Sequence, residues 1–245
     1  MEKTELLGVG ITTASEKEIL EYITKRLENG DQKTEIFTPN PEILMLAQKD
    51  PEFKKVLNSA QIALPDGVGL KIGGQILRKP IKARITGVDL MEKLCKMASG
   101  SAKQPVVTGF LGGEGGVAER TANCLQKKYP GLRVGFASDE WDPRLMTAPK
   151  IDILFVAFGA PNQEKWISEN LPKIPVTVAM GVGGSFDFVA GKVMRAPALV
   201  RKIGLEWLFR LVVQPWRWKR QLQLLHFSRL IFAEALSSRL KKQKK

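Results

Sequence analysis

Two cysteines and one histidine in 245 residues leave little material for disulfide or metal chemistry. Cys95 and Cys124 both fall in segments that read as helices, so two reduced, half-buried thiols are expected in place of a disulfide framework. His226 stands alone near the C-terminus, and no Asp-x-Asp occurs of the kind many nucleotide-sugar enzymes use to hold a divalent ion. Asp139, Glu140 and Asp142 are clustered and read as a solvated loop. No stretch approaches the roughly 20 apolar residues that cross a bilayer. The opening MEKTELLGVG also lacks the apolar core and small-residue cleavage site of a secretory leader, which points to a reducing, cytoplasmic setting. Apart from the terminal KKQKK there is no low-complexity segment, and no internal repeat.

Positive charge is what the chain has in excess, +13 overall, and its distribution is uneven. Residues 201–245 carry twelve Lys or Arg against two Glu, whereas residues 1–200 carry 26 against 23. An anionic partner is therefore expected to meet the C-terminus. The segment GLEWLFRLVVQPWRWKRQLQLLHFSRL interleaves Trp207, Trp216, Trp218, Leu222, Leu225 and Phe227 with arginines, the composition of an amphipathic helix lying among anionic headgroups. A helix with its apolar stripe on the core and a solvated basic face would have the same composition. Arg210, Arg217 and Arg220 fall on one helical face if Pro215 only kinks the run.

The first 190 or so residues alternate short apolar runs with longer amphipathic ones. That is the pattern of an α/β fold, a Rossmann-like, mostly parallel sheet with flanking helices, followed by a basic helical appendage. Strands are expected at 5–11, 34–38, 60–64, 105–109, 132–136, 151–158 and 175–180. The expected division is a Rossmann-like domain over 1–195 and a basic appendage over 196–245. Helix starts are marked by Ser15 with Glu18 and by the pairs Asn40-Pro41 and Asp50-Pro51.

Ligands of parallel sheets bind beyond the carboxyl ends of the strands. There the sequence offers Thr38-Pro39-Asn40, Pro65-Asp66-Gly67, Gly109 to Gly116, Gly159 to Gln163 and Gly181 to Asp187. The glycine run from Gly109 to Gly116, with Gly112 inside it, suits close backbone approach to a phosphate, although no Gly-Lys-Ser/Thr follows as in a P-loop. A diphosphate held without a metal needs fixed cations, and arginine with its bidentate fork suits that better than lysine.

Thr38-Pro39-Asn40, Pro65-Asp66-Gly67-Val68-Gly69, Arg84-Ile85-Thr86-Gly87, Gly159-Ala160-Pro161-Asn162-Gln163-Glu164, Gly183-Gly184-Ser185-Phe186-Asp187, Arg195-Ala196-Pro197 and Gly204-Leu205-Glu206-Trp207 occur in this order. In these motifs the chain resembles the WecG/TagA/CpsF glycosyltransferases, above all the TagA-like enzymes of wall teichoic acid synthesis. The resemblance implies inverting transfer of N-acetylmannosamine from UDP-ManNAc to the 4-hydroxyl of GlcNAc on undecaprenyl diphosphate. The reaction would need no metal or other cofactor and would take place at the cytoplasmic face of the membrane. It further implies Asp66 as the base and Thr38, Asn40, Arg84 and Gln163 around the donor sugar. Asp187 would lie at the nucleoside, with Gly109 and Gly112 near the nucleotide and Arg210, Arg217 and Arg220 on the departing diphosphate.

Each residue also has a plainer reading. Thr38 and Asn40 can end a strand and cap a helix, Arg84 can pair at the surface, and Phe136 can be a core residue or stack on uracil. Relatives that use UDP-ManNAc uronic acid leave the donor open, and the apolar tail leaves room for a homo-oligomer off the membrane. A nucleic-acid-binding module using the basic tail is the alternative from another class, although no nucleic acid is expected as partner. A nicotinamide enzyme is disfavoured because the strand after the glycine turn, Arg133 to Ser138, ends without the acidic residue that holds a ribose.

Overall fold

The computed structural model describes residues 1–30, 32–82, 85–101, 105–142 and 150–243, without the side chains of Arg217, Lys219, Arg220, Arg239 and 241–243. Where the sequence reads as one strand over 5–11, the chain forms a hairpin. β1 (Lys3–Leu6) pairs antiparallel with β2 (Val9–Thr12) through a two-residue turn, with Leu7 at φ 52° and Gly8 at φ 77°. Two successive residues in the left-handed region give the turn whose twist suits a tight hairpin. A leucine is strained there, and its neighbours hold it. Its N–H donates to Glu234 Oε2 at 3.3 Å, and its carbonyl accepts from Gln48 Nε2 at 2.9 Å.

α1 (Glu16–Asn29) begins at the capping box of Ser15 and Glu18 and ends at Gly30 in the left-handed region. β3 (Thr34–Phe37), α2 (Pro41–Lys49), α3 (Pro51–Ser59) and β4 (Ile62–Ala63) follow. Asn40 and Asp50 cap α2 and α3 as predicted, each accepting the N–H three residues on at 2.9 Å. Next come α4 (Val68–Ile76), α5 (Gly87–Ser99), β5 (Val107–Gly112), α6 (Val117–Lys128) and β6 (Arg133–Ser138). β7 (Ile151–Ala157), α7 (Asn162–Asn170), β8 (Val176–Gly181) and α8 (Ser185–Val189) complete the body. Cys95 is buried in α5 and Cys124 exposed on α6, so neither is the half-buried thiol expected.

Among the described residues β3 to β8 form one six-stranded sheet in the order β4-β3-β8-β7-β5-β6, with every pairing parallel. Central strands covered on both faces need apolar side chains on both, which is why β7 and β8 read as nearly continuous apolar runs. Alternation along the strands sends Ile36, Phe110 and Phe155 to the face covered by α1, α5 and α6. Phe37, Leu111, Leu154 and Val156 go to the face covered by α2, α3 and α7.

The C-terminal segment departs from a single kinked helix. α9 (Ala198–Lys202) and α10 (Glu206–Val213) are short, Gln214 turns extended before Pro215, and after one 3-10 turn α11 (Trp218–Gln243) begins. A residue before proline is pushed out of the helical region, so Pro215 ends α10 instead of bending it. Arg210 therefore does not share a continuous helix with Arg217 and Arg220. α11 returns to the body and packs on α2 and α4, burying Phe227, Ile231 and Ala235. A Cβ on Gly73 of α4 would lie 3.0 Å from Phe227 Cζ. On the opposite side of α11, Leu222, Leu225, Phe232, Leu236 and Leu240 remain 46 to 69% exposed. The helix is thus apolar on two faces where one was expected. Among the described residues no helix is long and apolar enough to cross a membrane.

Candidate active site

The carboxyl ends of β3, β4, β7 and β8 share one rim of the sheet, and the loops leaving them are fastened to one another. Leu64 N–H donates to Phe37 O at 2.8 Å and Asp66 N–H to Pro39 O at 3.0 Å. The pairing of β3 and β4 thus continues beyond the strands into the Thr38-Pro39-Asn40 and Pro65-Asp66-Gly67 turns. Thr38 is buried, and its hydroxyl donates to Gly181 O at 3.1 Å, which ties the end of β3 to the end of β8. Asn40 accepts the Ile43 N–H through Oδ1 and makes no hydrogen bond through its amide nitrogen among the described residues.

Asp66 is half-buried in the turn that opens α4. Two glycines set that turn for different reasons. Gly67 has φ 88°, open to glycine at no steric cost, while a Cβ on Gly69 would come 2.6 Å from Pro41 Cγ. Gly69 thereby lets the start of α4 lie against Pro41 at the start of α2, and the Asp66 backbone is fastened to the turn that carries the Asn40 cap.

Gln163 has another task than the one expected from the sequence. It is 2% exposed, its Oε1 accepts the Gly183 N–H at 2.9 Å, and its Nε2 donates to Glu164 Oε1 at 2.8 Å. Both ends of the amide hold the protein, so Gln163 braces the loop after β8 from beneath. Glu164, the last residue of its motif and given no role from the sequence, is fully buried, and its Oε2 has no hydrogen-bond partner among the described residues. Burial pushes its carboxyl up to about 7, against a lowering by the Gln163 hydrogen bond. The sequence signal was its place at the end of a motif, but a carboxylate in the first turn of a helix is usually exposed.

The glycine run also differs in its bounds and its use. β5 extends to Gly112, so Gly109 lies inside the strand, where a Cβ would meet Leu154 Cδ1 at 2.9 Å. Gly112, at φ 100°, turns the chain beside Phe158, 2.9 Å from the position of a Cβ. At the start of α6 the Asp139 carboxylate accepts the Gly116 N–H at 2.5 Å and the Ala118 N–H at 3.3 Å. An anion already sits where a phosphate was expected, and Asp139 is a helix cap instead of a solvated loop residue. Phe136 is half-buried against the apolar layer that holds Phe158 and Trp166.

Across the rim, α10 brings Arg210 to the loop after β8. Its guanidinium lies over the Phe188 ring with Cζ 4.4 Å from the centroid, a cation–π contact. Arg210 Nη2 and Asp187 Oδ2 lie 3.4 and 3.9 Å from where a Cβ on Gly184 would stand. Asp187, in the first turn of α8, faces Lys192 Nζ at 3.8 Å. The structure thus gathers Thr38, Asn40, Asp66, Gln163, Asp187 and Arg210 on one rim, and leaves Gly109 within the sheet. Arg84 lies outside the described residues, as do the side chains of Arg217 and Arg220. Among the described residues no three His, Cys, Asp or Glu side chains converge as metal ligands.

A family model described as "Glycosyl transferase WecG/TagA/CpsF family" matches residues 4–241. Three relatives bear the name N-acetylglucosaminyldiphosphoundecaprenol N-acetyl-β-D-mannosaminyltransferase. The one from Bacillus subtilis is 32% identical over 221 residues, covering 88% of this chain and 85% of the relative. The Bacillus spizizenii protein is 37% identical over 195 residues, 77% and 75% of the two chains, and that of Staphylococcus aureus 31% over 227 residues, 89% and 86%.

Proposed function

Because the chain belongs to the WecG/TagA/CpsF family of glycosyl transferases, we propose that it moves N-acetylmannosamine from UDP-ManNAc to the 4-hydroxyl of GlcNAc on undecaprenyl diphosphate. The names of the three relatives support this donor and acceptor over a uronic acid donor. The observation that carries the site assignment is the Asp66 N–H bond to Pro39 O, which fastens a carboxylate to the turn holding Thr38 and Asn40.

In the proposed reaction the acceptor O4 attacks the anomeric carbon on the face opposite UDP. As the C1–O4 bond forms, the bond from C1 to the diphosphate oxygen breaks, UDP leaves, and the hydroxyl proton passes to Asp66. A single displacement inverts the α-linked donor to a β-1,4 product and asks of the protein one base and compensation for charge on the leaving group. The Asn40 amide nitrogen, which has no hydrogen bond among the described residues, donates to the sugar. Arg210, at the loop after β8, neutralises the diphosphate together with Arg217 and Arg220, while Arg84 serves the donor sugar. Gln163 acts from beneath by holding Gly183.

The segment from 196 onward is proposed to rest on the cytoplasmic face of an anionic membrane and to close the site where the lipid-linked acceptor arrives. Exposed Trp216, Leu225 and Phe232 beside the terminal lysines have the composition for it. The test is transfer from UDP-ManNAc to a GlcNAc-diphospholipid analogue in excess EDTA. Product should form at an undiminished rate; loss on chelation contradicts a metal-free reaction, and no transfer from any UDP-HexNAc contradicts the assignment.

A further inference from the structure

Thr86, Arg195 and Glu206 belong to three of the motifs that carry the family likeness, yet none has a part in the chemistry above. The fold brings them together. Thr86 caps α5, its hydroxyl 2.6 Å from Asp89 Oδ2, and Arg195 Nη2 donates to Asp89 Oδ1 at 2.6 Å. Arg201 Nη1 lies 3.8 Å from the same oxygen, and Arg201 Nε donates to Ala196 O at 3.0 Å. On its other side Arg195 Nε is buried without a hydrogen bond among the described residues, 3.8 Å from Glu206 Oε1. Burial alone would raise the Asp89 pKa, but the Thr86 hydroxyl and Arg195 outweigh it and hold the carboxyl below its ordinary range.

Two further facts connect this cluster to the rim. Neither α9 nor α10 has a fully buried residue, and α10 has only Phe209 and Leu211 half-buried among its apolar side chains, so apolar burial locates them only weakly on the body. Glu206 and Arg210 are also four residues apart on α10 and share a face, so whatever holds Glu206 sets the direction from which Arg210 reaches the β8 loop. At its other end the cluster stands on α5, whose Gly87 abuts the rim: a Cβ there would lie 3.2 Å from Thr38 Cγ2 and 3.7 Å from Ser185 Oγ.

We infer that Arg195, bridging Asp89 and Glu206, is the positioning residue that sets α10, and with it Arg210, over the rim of the site. The effect on turnover rests on the proposed role of Arg210; the clasp itself does not. Arg195 touches no reacting atom. It converts the first turn of α5 into a bracket for a helix that lacks a core of its own.

The test uses the full chain with UDP-ManNAc and a GlcNAc-diphospholipid analogue, and compares wild type with Arg195→Gln in the presence and absence of Arg210→Ala. Arg195→Gln should speed amide hydrogen exchange in Glu206–Val213 by about tenfold with the sheet unchanged. It should also lower kcat by about tenfold with donor KM nearly constant, and cost nothing further once Arg210 is gone. Unchanged exchange in α10, or an equal loss on top of Arg210→Ala, overturns the inference. Asp89→Asn removes the other half of the bridge and must reproduce the exchange result, which keeps the test decisive if Arg195→Gln folds poorly. Wild-type protein with no transfer activity would contradict the proposed function, while the exchange comparison would still decide the clasp.

Discussion

At the rim of the sheet, Thr38, Asn40 and Gln163 each hold a backbone group of a neighbouring loop or helix, whereas the helices from Ala198 onward leave Leu199, Val212 and Trp216 more than 70% exposed. The rim is finished by the chain itself. The C-terminal helices are not, and they belong to the segment whose sequence carries most of the protein's net positive charge. A donor site can be preformed in this way because a soluble nucleotide sugar diffuses to it, while a lipid-bound acceptor must be met where it lies. On this account the two regions do different parts of one task, and α11 belongs to both, with one face in the body and the other outside.

The contrast can be broken first on the inner face of α11. Phe227→Ala should lower stability by about 3–5 kcal/mol, measured by urea unfolding, because it empties a site packed against Gly73 and the second apolar layer. A change below about 1 kcal/mol would mean that α11 is not part of the body. Glu164 sharpens the other side. Its folded pKa, about 7, is raised above the ordinary 4.5, so stability is fully present below about pH 4.5 and is lost as pH rises through about 7. Melting curves from pH 4 to 9 should show a decline of about 3 kcal/mol attributable to this group, and Glu164→Gln should flatten it. The smallest effect on the fold is expected from Trp216→Ser with Leu225→Ser. Melting temperature and UDP affinity should hardly move, while sedimentation with anionic vesicles falls about tenfold or more; unchanged sedimentation would detach the outer stripe from any lipid role.

The parallel sheet and the starts of α1, α2 and α3 are legible in the sequence because both leave local marks, apolar runs of strand length and capping residues. The hairpin at Leu7 is not, since a leucine in the left-handed region bears no turn signature and depends on Glu234 and Gln48, distant in sequence. The two-faced α11 defeats periodicity for a related reason: apolar positions on opposite sides of one helix cancel the signal that would reveal either. In the site, motif position brought Asp66, Thr38 and Asn40 to attention. The hydrogen bonds of Asp139 to the start of α6 and of Gln163 to Gly183 leave no local mark, because each joins residues 20 or more apart in sequence. Glu164 was passed over because its burial depends on tertiary packing.

The most direct test of the account is Asp66→Asn. The substitution keeps the size of the side chain and the turn while removing the base, so UDP should bind with near-normal affinity in a thermal-shift titration. Single-turnover transfer to the GlcNAc-diphospholipid analogue should fall by about a hundredfold to ten-thousandfold. Near-normal transfer by the variant would contradict the assignment of Asp66 as the base on this rim.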